Sequence, residues 1–237
     1  MTILTAILAL LVADEASDAL SKFNTAYKAK EVDARVAAVD ELAKTQHEKV
    51  HTKLGNLLVN DVKEVRLAAA KGLAGAQENK KKVVGYLNNG FLANAAEPTV
   101  EAAIIEALDK QQEGLGKQTL EAHFRGSDLQ AAKTAIETVG ALKRKDLIES
   151  LVALYKWMEE KAKEYETAGM KGKGLVGRGL PGSKEPTVDS EAPKRLRTLG
   201  PVVDKTLYLL TNQRLTGWKE WDEWWKKNGS DFKFPEK

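Results

Sequence analysis

The sequence predicts an all-α fold, an α-solenoid of about four to five helical hairpins with a capping helix at each end. Three observations predict it. Proline is nearly absent before residue 181, where only Pro98 occurs, and Ala, Leu, Lys and Glu dominate, which favours helix throughout. An eight-residue pattern recurs four times at nearly constant spacing. Each copy is followed by a second apolar-periodic segment, as a helix–turn–helix unit requires.

With 237 residues, 43% apolar and 30% charged, the chain suits one ordinary domain or two small ones with a sizeable core. Collagen-like, disordered and polytopic-membrane classes are excluded, since no apolar stretch approaches the roughly 20 residues a span needs. A net charge of +3 from 37 basic and 34 acidic residues is too balanced to imply nucleic-acid or membrane binding. The absence of cysteine removes disulfides, thiolate metal sites and cysteine nucleophiles together.

Residues 3–13 form an apolar run that ends in small residues and switches to polar at Asp14-Glu15. This is the shape of a secretory signal, so residues 1–13 are expected to direct export to the periplasm or outside, with cleavage near Ala13. The Met1-Thr2 start lacks the usual Lys or Arg. The alternative is a first amphipathic helix docked on the fold, which would leave the protein cytoplasmic. Residues 14–168 are expected to form the solenoid. Its opening segment, 14–30, with Ala19, Leu20, Phe23, Ala26 and Tyr27, reads as an N-terminal capping helix.

The repeat comes next. Arg35-Val-Ala-Ala-Val-Asp-Glu-Leu42 aligns with Arg66-Leu-Ala-Ala-Ala-Lys-Gly-Leu73, Glu101-Ala-Ala-Ile-Ile-Glu-Ala-Leu108 and Ala132-Lys-Thr-Ala-Ile-Glu-Thr-Val139. Small or aliphatic residues at 38, 69, 104 and 135, and again at 39, 70, 105 and 136, join the closing Leu or Val in an i, i+1, i+4 stripe. Such a stripe is the buried face of a helix. The second segments carry Val50, Leu54, Leu57 and Leu58; Val83, Val84, Leu87, Phe91 and Leu92; Leu115, Leu120 and Phe124; and Leu147, Leu151, Leu154 and Tyr155. Asp61, Glu97 and Asp128 precede first helices, where an acidic side chain caps free amides. Pro98 falls at the first-turn position that tolerates it. A single hairpin cannot bury both faces, so stability has to come from stacking neighbours.

Helix pairs of 31–35 residues with Arg35 and Arg66 in one column and Ala-Ala doublets in the next resemble HEAT repeats. Tetratricopeptide repeats have a similar length, but their Trp/Gly/Tyr positions are not apparent here.

A long helix, about Asp146 to Ala168, is expected to close the fourth unit. Six glycines then fall in the fourteen residues Gly169–Gly182, and the polar stretch to Pro193 follows. Residues 169–193 therefore read as a flexible, basic Gly/Pro-rich insertion. Residues 194–237 read as a last, degenerate repeat, through Leu196, Leu199, Val202, Val203 and Leu207, and a Trp-rich C-terminal cap. Trp218, Trp221 and Trp225 share a helical face, with Trp224 beside Trp221. Leu-Thr-Gly followed by Trp-x-x-Trp-Trp-x-x-Asn is similar to the closing segment of a group of exported bacterial HEAT-repeat proteins, over about fifteen residues. That group implies no defined chemistry. The tryptophans are expected to cover the open end of the array; the rival reading is an aromatic platform for a sugar or peptide.

Several motifs spell chemistry. His47-Glu48-Lys49-Val50-His51 is a literal H-E-x-x-H, in which His47 and His51 can hold zinc and Glu48 act as base. No third ligand follows: Leu54 and Lys71 stand where the known continuations need other residues. Repeat packing is the preferred account of this segment. Gly172 to Gly177 matches G-x-G-x-x-G, but no strand precedes it. Gly177 to Lys184 nearly spells a phosphate loop and ends Ser-Lys instead of Lys-Ser. His123 stands alone near Phe124, and Asn228-Gly-Ser230 fits a glycosylation sequon.

Lys171, Lys173, Arg178, Lys184, Lys194, Arg195 and Arg197 give residues 166–200 a net charge of +3. The binding candidates among them are Lys171, Lys173, Arg178, Arg195 and Arg197. The expected function is a non-catalytic protein-binding or scaffolding module with no cofactor, its partner another protein, its catalytic and metal residues none. The alternatives are a zinc hydrolase using His47, Glu48 and His51, and a binder of nucleic acid or anionic surfaces through 171–197.

Overall fold

A computed structural model of the chain describes residues 15–174 and 189–233, the side chains of 169–174 excepted. Among the described residues every regular element is helical and there is no strand. Helix α1 spans residues 15–26. It is followed by α2 (Val32–Leu42), α3 (Glu48–Val59), α4 (Lys63–Ala74), α5 (Lys80–Ala93), α6 (Pro98–Gln111), α7 (Leu115–Phe124) and α8 (Leu129–Ala141). A short 3-10 turn, Lys145–Leu147, leads into α9 (Ile148–Gly174), and α10 (Ala192–Thr211) and α11 (Gly217–Asn228) are the last of the described helices. This is an all-α helical repeat fold. No described helix is long and apolar enough to cross a membrane.

The helices gather into two compact units, divided in sequence at Leu120 and Glu121 within α7. In the first unit, the first helices of successive repeats lie side by side, α4 packing on both α2 and α6. The second helices α3 and α5 pack on each other. The layers are joined by broad contacts of α3 with α4 and of α5 with α6, from each second helix to the first helix of the following repeat.

The stripe read from the sequence is the core. Ala38, Val39, Leu42, Ala69, Ala70, Leu73, Ile104, Ile105, Leu108, Ala135, Ile136 and Val139 are all buried. Each large aliphatic among them contributes roughly 1.5–3 kcal/mol by leaving water. Val50, Leu54, Leu58, Val83, Leu87 and Phe91 fill the second helices' inner face. Leu92 does not join them: it is 56% exposed, because Val83, Leu87 and Phe91 already form the i, i+4 row that faces inward.

The expected acidic caps divide by role. Asp128 does cap α8, its Oδ1 accepting from Gln130 N at 2.8 Å and Ala131 N at 3.1 Å. Asp61 and Glu97 instead serve the arginines of the preceding repeat. Arg35 donates to Asp61 at 3.1 Å. Arg66 lies 3.8 Å and Lys63 3.9 Å from Glu97, whose side chain caps nothing. Pro98 occupies the first turn of α6. Buried side-chain amides donate to carbonyls at helix ends, where intrahelical partners run out. Asn94 Nδ2 donates to Leu58 O and Gly90 O, and Gln111 Nε2 to Leu73 O, Ala74 O and Ala76 O.

In the second unit, α10 packs on α8 and α9, and α11 packs on α9. That is the order of the first unit, so α10 and α11 act as the first and second helices of one more repeat. Two boundaries shift. Helix α9 continues six residues beyond Ala168 through Gly169 and Gly172. Extending an existing helix avoids the cost of nucleation, so a glycine penalty of about 1 kcal/mol does not stop it. Helix α10 begins at Ala192, with Pro193 in its first turn, and runs unbroken through the exposed Pro201. The start of the Gly-rich stretch and its last two residues are thus helical. Residues 1–13, with the expected signal, lie outside the described residues, as do Arg178, Lys184 and the 175–188 part of the insertion.

Candidate interaction surface

Among the described residues the H-E-x-x-H letters gain no third ligand. His47 precedes α3 as its N-cap in extended backbone, and its Nδ1 accepts from Lys49 N at 3.1 Å. Histidines at i and i+4 face the same way only when both lie within a helix, and here the first does not. Glu48 is exposed and paired with Lys82 of α5, whose ammonium holds its carboxyl below the usual range. His51 is 2% exposed, with neither ring nitrogen hydrogen-bonded among the described residues. Burial pushes its pKa down. Among the described residues no three His, Cys, Asp or Glu side chains form a group able to hold a metal ion.

The basic candidates separate. Lys171 and Lys173 continue the backbone of α9, their side chains outside the described set, and Arg178 lies wholly outside it. Arg197 is exposed on α10. Arg195, expected on charge alone to reach outward, is 6% exposed and donates to Gly126 O at 2.6 Å.

The tryptophans of α11 divide too. Trp221 is fully buried and donates Nε1–H to Asp204 Oδ1 at 2.9 Å. Trp218, Trp224 and Trp225 are half-buried. The rings of Trp224 and Trp225 close on Phe232 at 5.5 and 6.0 Å.

What the first unit does present is an ordered outer surface on α3 and α5. Side-chain rungs link equivalent places of successive repeats: Glu48 with Lys82, Thr52 Oγ1 with Tyr86 OH at 2.9 Å, and Asn88 with Thr119 of α7 at 3.2 Å. Gly55 lets the Tyr86 ring lie directly against α3, since a Cβ there would sit 2.6 Å from Tyr86 Cγ. Beside these rungs Asn56 and Val59 on α3 are exposed, and so are Asn89 and Leu92, 33 residues later on α5. Each pair stands one helical turn apart, so a polar and an apolar side chain repeat together along the surface. The sequence reading overlooked this set by assigning Leu92 to the core. The signal available was that an Asn three residues before an aliphatic residue recurs at the repeat length.

No protein-family model, no curated protein and no solved structure matches the chain.

Proposed function

We propose that the chain is a non-catalytic, exported protein-binding or scaffolding module of HEAT-repeat type. The observation that carries this reading is the repeated exposed set Asn56/Val59 and Asn89/Leu92, held in register by the Glu48–Lys82 and Thr52–Tyr86 rungs. Alternating amide and aliphatic groups on a rigid helical surface suit a protein partner, which supplies both hydrogen bonds and apolar area. Stacked repeats spread such contacts over many modest sites, which a scaffold needs and an enzyme does not. Export is supported by the apolar 3–13 run and the resemblance of the Trp-rich close.

The test is crosslinking and pull-down from a native envelope fraction, with the chain as bait beside a Val59→Glu/Leu92→Glu variant. Both positions are exposed, so the variant should keep the wild-type circular dichroism. Partners captured by wild type should be lost from the variant. Capture that survives both charges would overturn the assignment of this surface. A catalytic turnover abolished by Glu48→Gln would overturn the non-catalytic reading.

A further inference from the structure

A cavity of about 620 Å³ in the second unit is lined by Arg125, Asp128, Trp157, Asp189, Lys194 and Arg195, among others. Two guanidinium groups converge there on one indole. The Cζ of Arg125 lies 5.4 Å and that of Arg195 5.7 Å from the centre of the Trp157 ring. Neither forms an ion pair with a carboxylate among the described residues. Arg195 is more than nine-tenths buried; among the described residues only Nη2 is engaged, by the neutral Gly126 carbonyl, and Nε and Nη1 have no hydrogen-bond partner.

The carboxylates around the cavity are already committed. Asp128 accepts from the first-turn amides of α8, Asp189 accepts from Glu191 N at 3.0 Å, and Glu191 pairs with Lys194 at 3.2 Å. Asp128, Asp189 and Glu191 balance the formal charge of Arg125, Lys194 and Arg195 in the lining, so what stays unmet is hydrogen bonding at the buried Arg195 guanidinium, which no carboxylate among the described residues reaches. A buried charged donor left without a partner is unfavourable, and an ion pair is the usual remedy. An indole face attracts guanidinium but does not replace the bonds an oxyanion would make. The planar guanidinium fork matches two oxygens of a carboxylate or phosphate.

We propose that this cavity is an oxyanion site, in which a carboxylate or phosphate group of a ligand is held by Arg125 and Arg195 beside Trp157. The site lies wholly in the second unit and does not rest on the α3–α5 surface.

The test is titration of the full chain with citrate and, separately, with inorganic phosphate at constant ionic strength, followed by calorimetry and tryptophan fluorescence. At least one probe should bind saturably. Arg125→Ala, at an exposed position, should weaken it about tenfold or more while leaving the circular dichroism unchanged. Arg195→Lys, which keeps the charge and loses the fork, should weaken it as well. Trp157→Phe should abolish the fluorescence response and retain the heat. Binding of citrate alone assigns the site to carboxylate ligands, of phosphate alone to phosphoryl ligands, and either supports the proposal. No saturable heat with either probe, or an affinity unchanged in Arg125→Ala, would overturn it.

Discussion

Arg35 of α2 donates through Nη1 to Asp61 Oδ1 at 3.1 Å, joining the first helix of one repeat to the start of the next. Both side chains are mostly buried, at 21% and 10% exposure. The same carboxylate also accepts from Tyr27 OH, just past α1, and from Val62 N at 2.7 Å. Burial, and then the Asp61 hydrogen bond and charge, hold the Tyr27 hydroxyl well above its ordinary pKa. One carboxylate therefore ties α1, α2 and the approach to α4.

Asp61→Ala should cost about 2–4 kcal/mol, because it strands a partly buried guanidinium and leaves the Tyr27 hydroxyl and the Val62 amide without their acceptor. Asp61→Asn, which keeps the shape and loses the charge, should cost less. Urea unfolding midpoints check this; a wild-type midpoint in Asp61→Ala would show that the pair contributes nothing.

Asp61 also marks where sequence reading stops. The repeat was legible because burial follows helical period, so Val39, Ala70, Ile105 and Ile136 announce one another. An acid ahead of a helix is a local signal, and it fits capping at Asp128. At Asp61 and Glu97 the deciding partners, Arg35 and Arg66, stand a repeat away in the chain, and no local pattern reports them. Leu92 misleads for a related reason: Phe91 and Leu92 are equally apolar, and only the packing of α5 chooses between them. Arg195 was visible as a charge, whereas the Trp157 ring that receives it lies far upstream on another helix.

The glycines of the second-helix row should respond to the same substitution with opposite signs. Gly55→Ala would set a Cβ 2.6 Å from Tyr86 Cγ and 3.0 Å from Tyr86 Cβ. Gly90→Ala would set one 2.7 Å from Cγ of the fully buried Leu58. Each should destabilise by about 1–3 kcal/mol through overpacking. Gly85→Ala, with nothing within 4 Å, should stabilise by about 0.5–1 kcal/mol through helix propensity alone. Denaturation of the three variants side by side settles the contrast, and a stabilised Gly55→Ala would refute the close approach of α5 to α3.

Acid should loosen the fold partly through His51. Burial lowers its pKa in the folded chain, against the opposing charge of Glu78 and, more weakly, Glu48; His47 adds to the lowering. The neutral ring is thus the form the fold accepts. Its contribution is fully present above the unfolded value of about 6.5 and is lost as pH falls below that towards the folded pKa. His123, also lowered by burial, acts in the same direction. Urea midpoints should fall between pH of about 7.5 and about 5.5 in wild type and fall less steeply in His51→Leu. Equal slopes in the two proteins would exclude His51 as a contributor.

Asp204 of α10 is the corresponding tie in the second unit, accepting from Tyr155 OH of α9 at 3.0 Å and from Trp221 Nε1 of α11 at 2.9 Å. Trp221→Ala empties a fully buried site and should cost about 3–5 kcal/mol. Trp221→Phe keeps most of the apolar volume and removes the donor, so it should cost about 1–2 kcal/mol. Tyr155→Phe should cost a similar amount. Either single change leaves the carboxylate one donor among the described residues, whereas the double change leaves neither of these two. The pair should therefore be non-additive, the double variant losing about 0.5 kcal/mol or more beyond the sum of the singles. Strict additivity in a double-mutant cycle would mean that water replaces both donors freely, and that Asp204 does not couple α9 to α11.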